Sequence, residues 1–332
     1  MALLSANNPT LLDITRSMDP DGAISAVAEI LTETNEMLAD VPFMEGNLPT
    51  GHRHTIRTGL PEPTWRAFYQ GIQPTKSTRA QVQDNTAMME DYAEIDKALA
   101  DLNGNAPAFR LQEDYAHIEG MSQAAQQAFM YGNVSVNPTQ FNGFAPRFNS
   151  LSADNADNII DAGGTSTDNA SIWLVVWGMN TCFGIYPKGS QAGLSVKDLG
   201  EVTIESVDGA GGRMQAYRTH YRWDMGLCVK DWRYVVRIAN IRRGHLTSDA
   251  ATGPNLPELI FEAAERLPSM TLGQPVLYMD RQLRTKLRQQ VAALTKNSTL
   301  EWKDVGGIRT MMYDEMPIRR VDKLAVNEAQ VT

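Results

Sequence analysis

The stretch from Glu113 to Gly132, EDYAHIEGMSQAAQQAFMYG, constrains this chain more than any other, because it carries the longest uninterrupted helical pattern in the first half of the sequence. Tyr115, Ile118, Met121, Ala125, Ala128 and Phe129 recur at three- and four-residue spacing, whereas Glu113, His117, Gln123 and Gln127 fall off that stripe. The pattern predicts one buried face, with Ile118, Met121 and Phe129 against a sheet and His117, Gln123 and Gln127 toward solvent or a neighbouring chain. Gly132 before Asn133 is a stop signal. With a rise of about 1.5 Å per residue the helix is about 28 Å long. Gly120 lowers helix propensity by about 1 kcal/mol relative to alanine, which permits a bend there.

The chain before this helix has a different character. From Asp19 to Asp40, Ile24, Val27, Ile30, Leu31 and Leu38 describe an amphipathic helix after the turn Asp19-Pro20-Asp21-Gly22, with Glu29, Glu33 and Glu36 near its outer side. It packs either on its own domain or, as an arm carrying Ile24 and Leu31, on a neighbour. Between residues 41 and 98, Pro42, Pro49, Pro61, Pro63 and Pro74 interrupt short alternating runs such as His52 to Arg57 and Thr78 to Val82. Leu60-Pro61-Glu62-Pro63 is held extended. The region reads as a long projecting hairpin or loop, of a length that compact domains keep for binding.

The second half reads as sheet. A polar stretch from Ser150 to Asn169 is the best domain boundary, and strands are predicted at Ile172 to Trp177, Thr181 to Tyr186, Glu201 to Ser206, Arg213 to Trp223 and Leu227 to Ile241. Helices return at Leu256 to Leu267 and Asp280 to Leu294. The latter shows Leu283, Leu287, Val291 and Leu294 on one face, Arg281, Arg284 and Arg288 on another, and Asp280 as N-cap. Short strands around Arg309 to Tyr313 and Ile318 to Val321 close the chain.

With 332 residues, 42% of them hydrophobic, the chain can bury a sizeable core. The longest apolar run, Ile172 to Trp177, is a strand length and far short of a membrane span. The opening MALLSANNPT has neither the basic start nor the apolar core of a secretory signal, and Cys182 and Cys228 lack metal-site spacing, so buried thiols in the cytoplasm are expected. A net charge of -9 argues against a protein that grips nucleic acid through many phosphates. A container wall for DNA is different, because tight binding would hinder filling and emptying.

Catalytic signals are sparse. His52 and His54 lie two apart on a predicted strand and face the same way, the arrangement by which a metal-dependent hydrolase shares a divalent ion, but further ligands are needed and only His117, His220 and His245 remain. Ser206 to Arg213 is glycine-rich after a strand, yet Met214 to Thr219 alternates as a strand, so a hairpin connection fits better than a phosphate cradle. No G-x-S-x-G elbow is present. Adjacent carboxylates such as Glu113-Asp114 and Asp314-Glu315 diverge and read as solvated faces. The Arg281, Arg284, Arg288 face is an exposed helix face or a contact for DNA or an acidic partner. Trp65, Trp223 and Trp232 read as core or interface anchors.

Several runs share the order seen in one family. Gly46 to His52, Arg57-Thr58-Gly59-Leu60-Pro61, Trp65-Arg66, Gln70-Gly71-Ile72 and Lys76-Ser77-Thr78 resemble the N-terminal region of major capsid proteins of tailed, double-stranded DNA bacteriophages, in the branch frequent among short-tailed phages. Gly184 to Ser190, Ala192-Gly193-Leu194, Asp198-Leu199-Gly200, Trp223 to Ile241 and Met316 to Asp322 extend the likeness through most of the chain.

The resemblance implies an α+β architecture, the Hong Kong 97 capsid fold. Residues 1–50 would be an N-terminal arm and 51–98 the extended loop and its base. Residues 99–164 would form a peripheral domain with the spine helix at 113–132, 165–290 an axial domain, and 291–332 a return to the peripheral domain. It further implies a virion structural protein, not an enzyme, with no cofactor and no catalytic or metal residue. Such a protein assembles in the host cytoplasm into pentamers and hexamers of an icosahedral shell. Its partners would be copies of itself, scaffolding, portal and cement proteins, and packaged double-stranded DNA held without sequence-specific contacts; no membrane is involved. Candidate intersubunit residues are Ile24, Leu31, Leu60, Pro61, Trp65, Arg66, Lys76, Arg281, Arg284 and Arg288. Some members of the fold cross-link a lysine to an asparagine. Lys76 lies in the loop without identifiable partners, so assembly is expected to be non-covalent.

Overall fold

A computed structural model describes residues 36–101, 106–205, 211–250, 253–293, 300–305, 308–325 and 327–332. The predicted arm, with Ile24 and Leu31, therefore lies outside the described residues except for a short helix, α1, Met37–Asp40. The chain divides into two compact units: residues 88–126 and 193–224 form most of one, and 34–87, 127–192 and 225–332 form the other.

The larger unit is built around β5, Asn169–Trp177, every residue of which is buried. Such a strand must be covered on both faces, which is why its sequence from Ile172 to Trp177 is continuously apolar instead of alternating. β9, Val235–Arg242, pairs with it antiparallel along one edge, and β10, Gln274–Met279, pairs antiparallel along the other. Beyond β10 come β13, Met316–Arg320, in parallel, then β12, Ile308–Tyr313, and β11, Leu300–Val305, both antiparallel. β4, Ile159–Asp161, runs parallel to β9, and β6, Cys182–Tyr186, runs parallel to β1, Phe43–Glu45.

On one face of β5, Ile172, Leu174 and Val176 share a core with Ile260 and Ala263 of one helix (Leu256–Glu265) and with Leu283 and Leu287 of another (Arg281–Ala293). As predicted, Asp280 caps the second helix, its carboxylate accepting from the Gln282 N–H at 3.0 Å. On the other face Trp173 and Trp177 meet Phe144, and Trp173 also meets Phe148, at ring-centroid distances of 5.8 to 6.1 Å. Beneath these aromatics lies a buried ionic network. Arg237 donates to Glu328 at 2.8 Å and to the Phe148 carbonyl at 2.6 Å, and its guanidinium sits 5.0 Å from the Trp173 ring centre. Tyr131 donates to the second Glu328 oxygen at 2.6 Å, and Ser171 to the first.

The smaller unit holds the hairpin of β7, Leu194–Glu205, and the first part of β8, Arg213–Val229, paired from Leu194 with Trp223 to Glu205 with Arg213. The two strands pair antiparallel on either side of the glycine-rich stretch from Ser206, of which residues 206–210, read from the sequence as a hairpin connection, lie outside the described residues. Here two expectations are corrected. β8 continues from Arg213 to Val229, so Trp223 does not end a strand, and the break falls at Trp232–Tyr234, a single 3-10 turn before β9.

The long helix runs from Ala106 to Tyr131, about 39 Å at 1.5 Å per residue, and begins earlier than Glu113 because Pro107 supplies a helix start. Phe109 near its start is buried, as are Met121, Ala125 and Phe129 at four-residue spacing. Tyr115 and Ile118, expected inside, are exposed, and His117, expected outside, is turned inward. The cause is the polar character of the smaller unit's strands: His117 Nδ1 lies 2.6 Å from Asp91 and its ring stacks on Tyr221 at 5.8 Å. Asp114, read as solvated, instead accepts from the Tyr221 hydroxyl. At the far end Gly132 is required, since a Cβ there would lie 2.4 Å from the Phe141 carbonyl oxygen and 2.5 Å from that of Ala128.

Candidate assembly interface

The proline-rich region forms an antiparallel hairpin of β2, Gly51–Gly59, and β3, Thr78–Asp96, in register from Gly51 opposite Asn85 to Gly59 opposite Thr78. Its base is pinned by local chemistry. The Asn47 side chain accepts from the Arg53 N–H at 2.7 Å and donates to the Arg53 carbonyl at 2.6 Å, while the Arg53 guanidinium donates to Gln83 at 3.0 Å. Gly51 allows the strands to approach, because a Cβ there would stand 2.1 Å from the Asp84 carbonyl oxygen. Between the strands, residues 60–77 carry no strand or helix, as Pro61, Pro63 and Pro74 dictate.

This tip concentrates apolar surface. Leu60 is 74% exposed, Trp65 98% and Phe68 93%, and Tyr69 and Ile72 are exposed as well. Large aromatic side chains left open to this extent in one place mark a binding surface. Tyr69 is also held at φ 67°, in the left-handed region that a bulky L-residue adopts only under constraint, at the tight turn where the Gln70 N–H donates to the Ala67 carbonyl at 3.3 Å. Pro61, Arg66 and Lys76 are exposed beside these residues, so the sequence-predicted loop candidates are all gathered on one tip.

The arginine helix is different. Arg281 is exposed but engages Asp322 of its own chain at 3.1 Å. Arg284 is half-buried, and burial draws its pKa below the ordinary arginine value while Glu36 opposes that shift. Arg288 is exposed. The three do not form one open basic face. In the smaller unit, Tyr115 and Ile118, expected in the core, are open instead, and with Leu111 they form an exposed apolar stripe on the long helix.

His52 and His54 do share one strand face, their rings 6.2 Å apart. His52 lies edge-on to Phe183, and burial lowers the pKa of both imidazoles. Two residues that the sequence pattern does not single out stand by His54, namely Asp84 and Cys228. Their spacing in the chain gives no hint of it. Next to them is a cavity of about 390 Å³ lined by His54, Arg147, Asn155, Lys230 and Trp232 among others. No helix among the described residues is long and apolar enough to cross a membrane.

Comparison with known proteins bears on the fold and the family. The family described as Major capsid protein GP7 matches residues 19–332. A solved structure of bacteriophage Epsilon15 is similar over 100% of this chain and 99% of its own, with 34% identity and a TM-score of 0.79. A bacteriophage JBD30 capsid structure covers 90% of this chain and 93% of its own at 10% identity, with a TM-score of 0.47. No match is found among curated protein sequences.

Proposed function

The chain belongs to the major capsid protein GP7 family and is a structural protein of a phage capsid, and from that premise we propose that its hairpin tip is the apolar anchor by which each copy holds a neighbour. The observation that carries the proposal is the exposure of Leu60, Trp65, Phe68 and Tyr69 at the end of a hairpin whose base is fixed by hydrogen bonds. A tip already extended by prolines loses less entropy on docking than a flexible loop would. The fold gives the hydrolase reading of His52 and His54 no support.

In this reading residues 1–50 are the arm, with Ile24 and Leu31 contacting a neighbour, and 51–98 are the extended loop. The long helix is the spine of a peripheral domain over 99–164, 165–290 form the axial domain, and 291–332 return to the peripheral domain. Pentamers and hexamers close an icosahedral shell around double-stranded DNA in the host cytoplasm, aided by scaffolding, portal and cement proteins. The net charge of -9 suits a wall that neither captures nor retains the DNA it faces. Expression of the chain with electron microscopy of the product tests the reading: closed shells are expected, and a protein that stays monomeric under all assembly conditions would overturn it.

A further inference from the structure

Beneath the hairpin base, three strands bring together a side-chain set that a purely structural wall does not need. His54 of β2, Asp84 of β3 and Cys228 of β8 are all buried, with one ligand atom from each within 4.8 Å of the other two. His54 Nδ1 is 3.7 Å from Cys228 Sγ and 4.0 Å from Asp84 Oδ2. A tetrahedral zinc with bonds of about 2.0–2.3 Å needs its ligand atoms about 3.3–3.7 Å apart, so the His54–Cys228 pair already stands at that spacing and Asp84 must close on His54 by about 0.7 Å, a side-chain adjustment, to complete the geometry.

The surroundings point the same way. Asp84 Oδ2, the oxygen that faces His54 Nδ1, is buried without a hydrogen-bond partner, an arrangement that is costly unless something else satisfies it. The other Asp84 oxygen is held by Arg147 at 2.8 Å, and Arg147 also donates to the Leu227 carbonyl at 3.2 Å. That is how an outer partner orients a ligating carboxylate and leaves one oxygen for the metal. The adjoining cavity, lined by His54 and Arg147, has room for a water as fourth ligand.

We propose that His54, Asp84 and Cys228 bind one divalent ion of the zinc class, which fastens the base of the extended hairpin to β8. On binding, the Cys228 thiol gives its proton to solvent as the metal–sulfur bond forms, with no change of oxidation state. Nitrogen, oxygen and thiolate together favour zinc or cobalt over magnesium or calcium.

The test uses the full chain, first stripped of metal and then titrated with cobalt(II) and zinc(II). Expected are one ion per chain, a thiolate-to-cobalt charge-transfer band displaced by zinc, and a melting temperature raised by zinc. Cys228→Ser should lose the band and the zinc-dependent shift, whereas Cys182→Ser, which removes the other buried thiol, should keep both. Substoichiometric metal on the unaltered chain, or bound cobalt without the thiolate band, would overturn the proposal, and neither result depends on whether a variant folds.

Discussion

Replacing Trp65 by alanine separates assembly from folding. The side chain is 98% exposed in the subunit, so its loss should change subunit stability by no more than about 0.5 kcal/mol. In the shell the same side chain is buried on a neighbour in the proposed arrangement, and a buried aromatic anchor contributes about 2–3 kcal/mol. At about 1.4 kcal/mol per decade this weakens each contact about 30- to 140-fold. Every copy donates one tip and receives one, so the critical concentration for assembly should rise by a comparable factor. Urea unfolding of dissociated subunits gives the first quantity, and light scattering against protein concentration gives the second. An unchanged critical concentration, or a subunit midpoint that falls with the assembly defect, would refute the reasoning.

The same structure sets three other outcomes. Glu328→Ala strands the Arg237 guanidinium in a site where both side chains are at most 7% exposed, and should cost the subunit about 3–5 kcal/mol in denaturant unfolding, with much of it recovered when Arg237 is also made apolar; a loss under about 0.5 kcal/mol would contradict the network's role. The Asp198 carboxyl is held below its ordinary pKa by hydrogen bonds from Arg110 and the Gly200 N–H, so its contribution is complete above about pH 4 and is lost as pH falls through the depressed value. Because Asp198 is largely exposed the effect is below about 1 kcal/mol, and Arg110→Ala should remove that part of the acid dependence without altering stability near pH 7 by more. Shells boiled in detergent should run as a single monomer band, and a ladder of covalent multimers lost on Lys76→Arg would show cross-linking through that lysine.

How much of the fold and the interface was readable in the sequence depended on whether a feature was local. The hairpin tip was legible because Pro61, Pro63 and Pro74 forbid regular structure wherever the chain places them. β5 was legible because a strand covered on both faces writes itself as an apolar run. The long helix was legible as an element, but its faces were only partly so. Its inward stripe includes His117, which meets Asp91, while Tyr115 and Ile118 are left outside, so apolar periodicity points to the wrong side over two turns. The Glu328 network and the His54–Asp84–Cys228 set were not legible at all. Each joins residues from distant strands or a late segment of the chain, and only the packing of those elements brings them together.

The most direct measurement is a near-atomic electron-microscopy map of the assembled shell, read at Trp65. The account predicts that Trp65, Phe68 and Tyr69 are covered by a neighbouring copy of the chain, with residues 60–77 keeping their extended course between Gly59 and Thr78. A closed shell in which the tip remains open to solvent would contradict it.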